Sequence, residues 1–297
     1  MLFSLVAPPA PTPGRLLTDW GVDAALVGVV ALAALYLTGV RRLEARGRHW
    51  PVARSIAFAS GLVLIVVATM SGLAAYDRVL FSMHVIQHVL LAMVAPILLV
   101  LGRPVTLALQ AGSRPTQARL LAVLHSPPVR AVTNPVVAWA LFAGTLVVLY
   151  FTGLYELSLR NGWVHAGLHV HFVLVGVLFL AFVVGLDPIP GAMSYGARAL
   201  FVFVLVPFHA FLGVALLGSD RVIAGDWYRG VQRPWGASPL ADQRTGAGIL
   251  WVAGELFGVL AIAVVVHQWM RAEERKAVRI DRQLDAERVA RASQLPG

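Results

Sequence analysis

The stretch FSMHVIQHVLLAMVAPILLVLGRP, residues 81–104, decides how this chain must fold. From Val89 to Leu101 it is apolar throughout, and with the preceding turns it reaches about twenty residues, the length an α-helix needs to cross a bilayer. Yet His84 and His88 stand four residues apart inside it, on one face of any helix they share. An ionisable side chain in hydrocarbon is costly and needs a partner.

Similar apolar runs lie on both sides of this stretch. Reading 22–40, 54–74, 80–101, 134–152, 165–184, 197–217 and 246–268 as spans predicts an all-α polytopic membrane protein, a bundle of about seven transmembrane helices. Composition agrees: the 297 residues are 13% charged, against roughly 25% in a soluble domain, and mean hydropathy is +0.75. The expected organisation is an extracytoplasmic arm (1–21), a transmembrane domain (22–268) and a charged cytoplasmic tail (269–297). No internal repeat points to the inverted halves of many transporters.

Charge sets the expected orientation. Residues 41–54 carry five Arg against one Glu, and 102–133 carry four Arg and no acid. With seven spans both segments fall on one side, which the excess of positive charge assigns to the cytoplasm. The N-terminus is then outside and the C-terminus inside. This distribution also accounts for the net charge of +9 without nucleic acid as a partner. The opening MLFSLVAPPAPTPGRLLTDW lacks the basic start of a cleavable signal, and Pro8, Pro9, Pro11 and Pro13 predict an extended arm.

Orientation turns the buried histidines into geometry. His84 and His88 fall in the outer part of the third span, His165 and His169 at the start of the fifth, and His209 in the outer half of the sixth. Glu255 enters the same depth zone from the seventh. Each pair four residues apart offers two imidazoles to one helical face, whereas His171 is about 200° around from His169 and turns away. Pro207, two residues before His209, and Pro96 can each bend their span.

With no cysteine, the available ligands are His, Met and carboxylate, and disulfides and thiolate chemistry are excluded. The candidate metal ligands are His84, His88, His165, His169, His209 and Glu255, with Met83, Met70 and Asp242 as accessories. Imidazole suits copper, zinc, iron or haem, and thioether favours Cu(I). An internal polar network without metal is the competing account of the same residues. No nucleotide loop, catalytic Ser/His/Asp arrangement or zinc-protease motif marks the chain as an enzyme.

In FSMHVIQHVLLAMVAPILLVLGRP (81–104), HAGLHVHFVLVGVLFLAFVVGLDP (165–188), PFHAFLG (207–213) and DQRTGAGILWVAGE (242–255) the chain resembles the integral-membrane CtaG (caa3-type) cytochrome c oxidase assembly factors. The resemblance implies a multi-pass protein of the bacterial plasma membrane that serves maturation of a haem–copper oxidase, at the copper-delivery stage. His84, His88, His165, His169 and His209 look like the family's histidines, and Asp242 and Glu255 like its acidic motif. Copper, as Cu(I), is the implied metal, with a haem–copper oxidase subunit and an extracytoplasmic copper chaperone as implied partners. Copper permeation, a haem-binding electron carrier and a purely structural scaffold are the alternatives.

Overall fold

The computed structural model describes residues 5–292; the ends of the arm (1–4) and of the tail (293–297) lie outside the described residues. In chain order the helices are α1 (Pro13–Thr18), α2 (Ala25–Glu44), α3 (Val52–Met70), α4 (Gly72–Tyr76), α5 (Phe81–Val89), α6 (Ala95–Leu101), α7 (Pro104–Ala111), α8 (Arg114–Leu124) and α9 (Pro127–Val132). They continue as α10 (Pro135–Phe151), α11 (Leu154–Arg160), α12 (Gly162–Val184), α13 (Tyr195–Phe203), α14 (Leu205–Leu217), α15 (Gly225–Gly230) and α16 (Pro239–Ala292). Among the described residues, six helices have the length and apolar character to cross a membrane, and α10 and α11, bent by 74° at the break between them, reach that length and character only as a pair, which gives six to seven candidate spans. The all-α polytopic expectation holds.

The centre of the bundle is the rod 81–111, which packs against α3, α12 and α16. In its apolar window 61% of the residues are buried, against 11% for α2, which therefore lies at the periphery. A π turn, Leu90–Val94, joins α5 to α6, with the Ala95 amide reaching back to the Leu90 carbonyl. Pro96 has no amide hydrogen to give Ala92, so the ladder must change here. The Ala92 carbonyl instead faces Gly176 of α12, where a Cβ would come within 2.3 Å of it. Only glycine permits that approach.

Several boundaries depart from the sequence expectation for local reasons. The arm is not wholly extended: Pro13 sits in the first turn of α1, where its missing N–H costs nothing, and Thr12 caps Arg15 N at 3.2 Å. The connection 102–133 is built of three short helices that open with Pro104, Pro115 and Pro127 by the same logic. α12 begins at Gly162, three residues earlier than expected, because the Asn161 side chain accepts from Trp163 N and Val164 N at 2.9 and 3.3 Å. His165 consequently lies inside a helix rather than at its edge. The tail continues α16 without interruption.

One end of the bundle is closed by a cap. Residues Leu5–Val6 pair in parallel with Val231–Gln232. Tyr76 donates its hydroxyl to Pro9 O at 2.7 Å, and Trp235 its indole N–H to Pro8 O at 2.9 Å. α15 lies over the same end, held by Trp227 Nε1 on Arg78 O (2.8 Å) and by the Tyr228 and Tyr155 hydroxyls (2.6 Å). Burial pushes the Tyr228 phenol well above its ordinary value, so this link is between neutral groups. At the other end Arg48 reaches Gln110, and Asp187 accepts from Val105 N and Thr106 N, which gathers 41–54, 102–133 and 185–194 together.

Candidate metal centre

Directly beneath the cap, α5 and α12 face one another with their paired histidines. α5 starts without a side-chain cap of its own. Asp242 of α16 supplies one, accepting from Ser82 Oγ at 2.5 Å and from Ser82 N at 3.4 Å. A carboxylate at this helix start also meets the positive end of the helix dipole. Asp242 therefore fixes the turn that carries His84.

The imidazoles form a continuous series. The rings of His84 and His88 are 3.7 Å apart, those of His84 and His165 6.0 Å, and those of His165 and His169 4.4 Å. All four are buried. Asp77, in the turn before α5, closes the series, and one ligand atom each from Asp77, His165 and His169 lie within 4.8 Å of one another.

Hydrogen-bond partners fix which nitrogens are free to bind. His165 Nε2 stands 2.8 Å from Asp77 Oδ2; a carboxylate only accepts, so Nε2 carries the hydrogen and Nδ1 is the nitrogen left for a ligand. Gln87 donates Nε2–H to Ala68 O at 2.8 Å, which identifies its other atom as oxygen. That oxygen accepts from His169 Nε2 at 3.0 Å, again leaving Nδ1 as the free nitrogen of the neutral ring. His88 Nδ1 shares a 3.4 Å contact with the Tyr150 hydroxyl. A histidine with one nitrogen held by a carboxylate or amide and the other bare is how metal-bound imidazoles are oriented.

The remaining polar atoms make the same point. Both nitrogens of His84, Nε2 of His88, Nδ1 of His165 and Oδ1 of Asp77 are buried with no hydrogen-bond partner. Each such atom costs about 1–3 kcal/mol if nothing engages it. Imidazole nitrogens beside one carboxylate form a donor set that suits a borderline cation such as copper, zinc, iron or nickel. The residues present thus fit a metal ion.

Other candidates stand elsewhere. His209 is buried; its Nδ1 donates to Leu205 O at 3.2 Å, its Nε2 has no hydrogen-bond partner, and its ring lies near Phe142, Phe208 and Gly254. Glu255, half-buried, accepts from Trp251 Nε1 at 3.3 Å on its own helix. Neither joins the Asp77–His165–His169 group. Met83 packs with Tyr76, Val79 and Leu80 under the arm, and the buried Met70 ends α3, its carbonyl accepting from Gly21 N at 2.8 Å. His171 turns away as expected and bonds Thr145 Oγ1 at 2.8 Å.

Sequence reasoning passed over Asp77 and Gln87. Asp77 precedes His84 by seven residues and His88 by eleven, a spacing that continues the same helical face, and Gln87 is an amide inside an apolar span. Tyr150 and Tyr155 could be placed only once α11 was seen to fold over the site.

Fold and site together define a polytopic helical membrane protein with a capped internal centre of histidines and a carboxylate. The chain belongs to the cytochrome c oxidase caa3 assembly factor family (Caa3_CtaG), whose profile matches residues 34–272. It is 39% identical over 289 residues to uncharacterized proteins of Mycobacterium bovis and Mycobacterium tuberculosis, and 38% identical over 288 residues to one of Mycobacterium leprae. Each alignment covers 94% of this chain but 44% of the relative, so the chain spans less than half the length of these proteins. No solved structure matches.

Proposed function

We propose that this chain handles copper for the assembly of a haem–copper oxidase and performs no catalytic step of its own. The observation that carries this reading is the grouping of Asp77, His165 and His169, continued by the neighbouring rings of His84 and His88, with five buried polar atoms of this series lacking any partner. The Arg-rich connections 41–54 and 102–133 support a cytoplasmic side for their end of the bundle, in the plasma membrane of a bacterial cell. The cap and the centre then face the extracytoplasmic side of the plasma membrane, where a chaperone delivers Cu(I) and an oxidase subunit receives it. Neutral imidazoles hold a monovalent soft ion without thiolates, and their moderate affinity permits release.

The test is oxidase maturation in a deletion strain complemented with wild type, His84→Ala or His165→Ala, with protein level and bound copper measured in parallel. The account expects normal protein, reduced copper and impaired oxidase in both variants. Full oxidase maturation by both would contradict it. A Soret band in the purified wild type would favour a haem carrier, and copper uptake into sealed proteoliposomes a permeation protein.

A further inference from the structure

We infer that His88 and Met93 form a second, inner station for Cu(I), one step deeper in the bundle than the centre under the cap. This inference rests on the copper reading above. A small cavity of about 20 Å³ adjoins the histidine series, enough for one water-sized occupant. Its walls are otherwise hydrocarbon, including Phe142, Leu146, Phe172 and Leu250; His88 supplies the only side-chain nitrogen and Met93 the only sulfur. His88 is 2% exposed, Met93 3%, and His88 Nε2 has no hydrogen-bond partner.

The π turn is what brings these two residues to one cavity. On a regular α-helix, residues five apart point about 140° away from each other. The wide turn Leu90–Val94, with its i→i+5 bonding, lets Met93 share a cavity with His88. Pro96, which has no N–H for the Ala92 carbonyl, follows this turn directly, so the irregular part of the span is the part that carries the thioether. An apolar chamber with one imidazole and one thioether disfavours a hydrated divalent ion, whereas soft, low-coordinate Cu(I) matches both donors. The His88 ring lies 3.7 Å from that of His84, tilted to it by 59°, which makes it the link between centre and station.

X-ray absorption at the copper edge tests this on the purified full chain titrated with Cu(I), for wild type, Met93→Leu and Met83→Leu. Leucine nearly conserves the volume of methionine, so the fold is retained. The expected result is a copper–sulfur contribution at saturation in wild type and Met83→Leu, lost in Met93→Leu, whose nitrogen- and oxygen-bound copper persists. Copper bound in wild type with nitrogen and oxygen ligands alone would overturn the inner station and leave the outer centre standing. A sulfur signal that survives Met93→Leu overturns it equally. If wild type binds no Cu(I), the station and the copper reading fall together.

Discussion

His165 on α12 and Asp77 in the turn before α5, 88 residues apart in sequence, meet through a 2.8 Å hydrogen bond from Nε2 to Oδ2. That contact leaves His165 Nδ1 bare and buried, and it ties the two histidine-bearing helices together at the cap. Asp77→Asn keeps an oxygen that can accept from Nε2 but removes the negative charge. Cu(I) affinity should fall by about 10–100-fold, the usual loss when the partner of a metal-bound histidine is weakened. A competition titration against a chromogenic Cu(I) chelator, with thermal unfolding as a fold check, measures it.

Gln87 serves two helices at once, donating to Ala68 O and accepting from His169. Gln87→Leu leaves the Ala68 carbonyl buried without its donor and frees the His169 ring to change tautomer. A loss of about 1–3 kcal/mol in stability is expected, together with weaker metal binding. Thermal unfolding in detergent, with and without Cu(I), should show a lower midpoint and a smaller stabilisation by the ion.

The role of Asp242 differs from that of a ligand. Its oxygens bond Ser82, so Asp242→Ala should cost about 0.5–2 kcal/mol, as loss of a helix cap does. Copper stoichiometry at saturation should be unchanged once the variant is folded. A stoichiometric loss of copper in a fully folded variant would instead assign Asp242 to the metal.

Gly176→Ala tests the contact that seats α12 on the π turn. The added Cβ would lie 2.3 Å from Ala92 O, a backbone atom that cannot rotate aside. Overpacking of this kind costs about 1–3 kcal/mol, and the variant should show a reduced unfolding midpoint. Gly144→Ala, where no atom lies within 4 Å of the new Cβ, should not.

What could be read from the residues was what periodicity and hydrocarbon length impose. The His84/His88 and His165/His169 pairs had to share helical faces, and the spans had to be helices. Asp77 escaped because a turn acid next to Arg78 looks like an ordinary exposed loop; its burial depends on α11, α15 and the arm folding across it. His209 was assigned by depth alone, and depth does not fix the direction of a ring. The bond to Leu205 O holds its Nδ1 on its own helix and leaves Nε2 buried without a partner.

The central claim is that the α5 and α12 histidines hold copper. Copper per chain, measured by mass spectrometry on the purified, monodisperse full chain, compares wild type with a His84→Ala/His88→Ala/His169→Ala variant. The account predicts bound copper in wild type and its loss in the variant. Equal copper in the two proteins would contradict it.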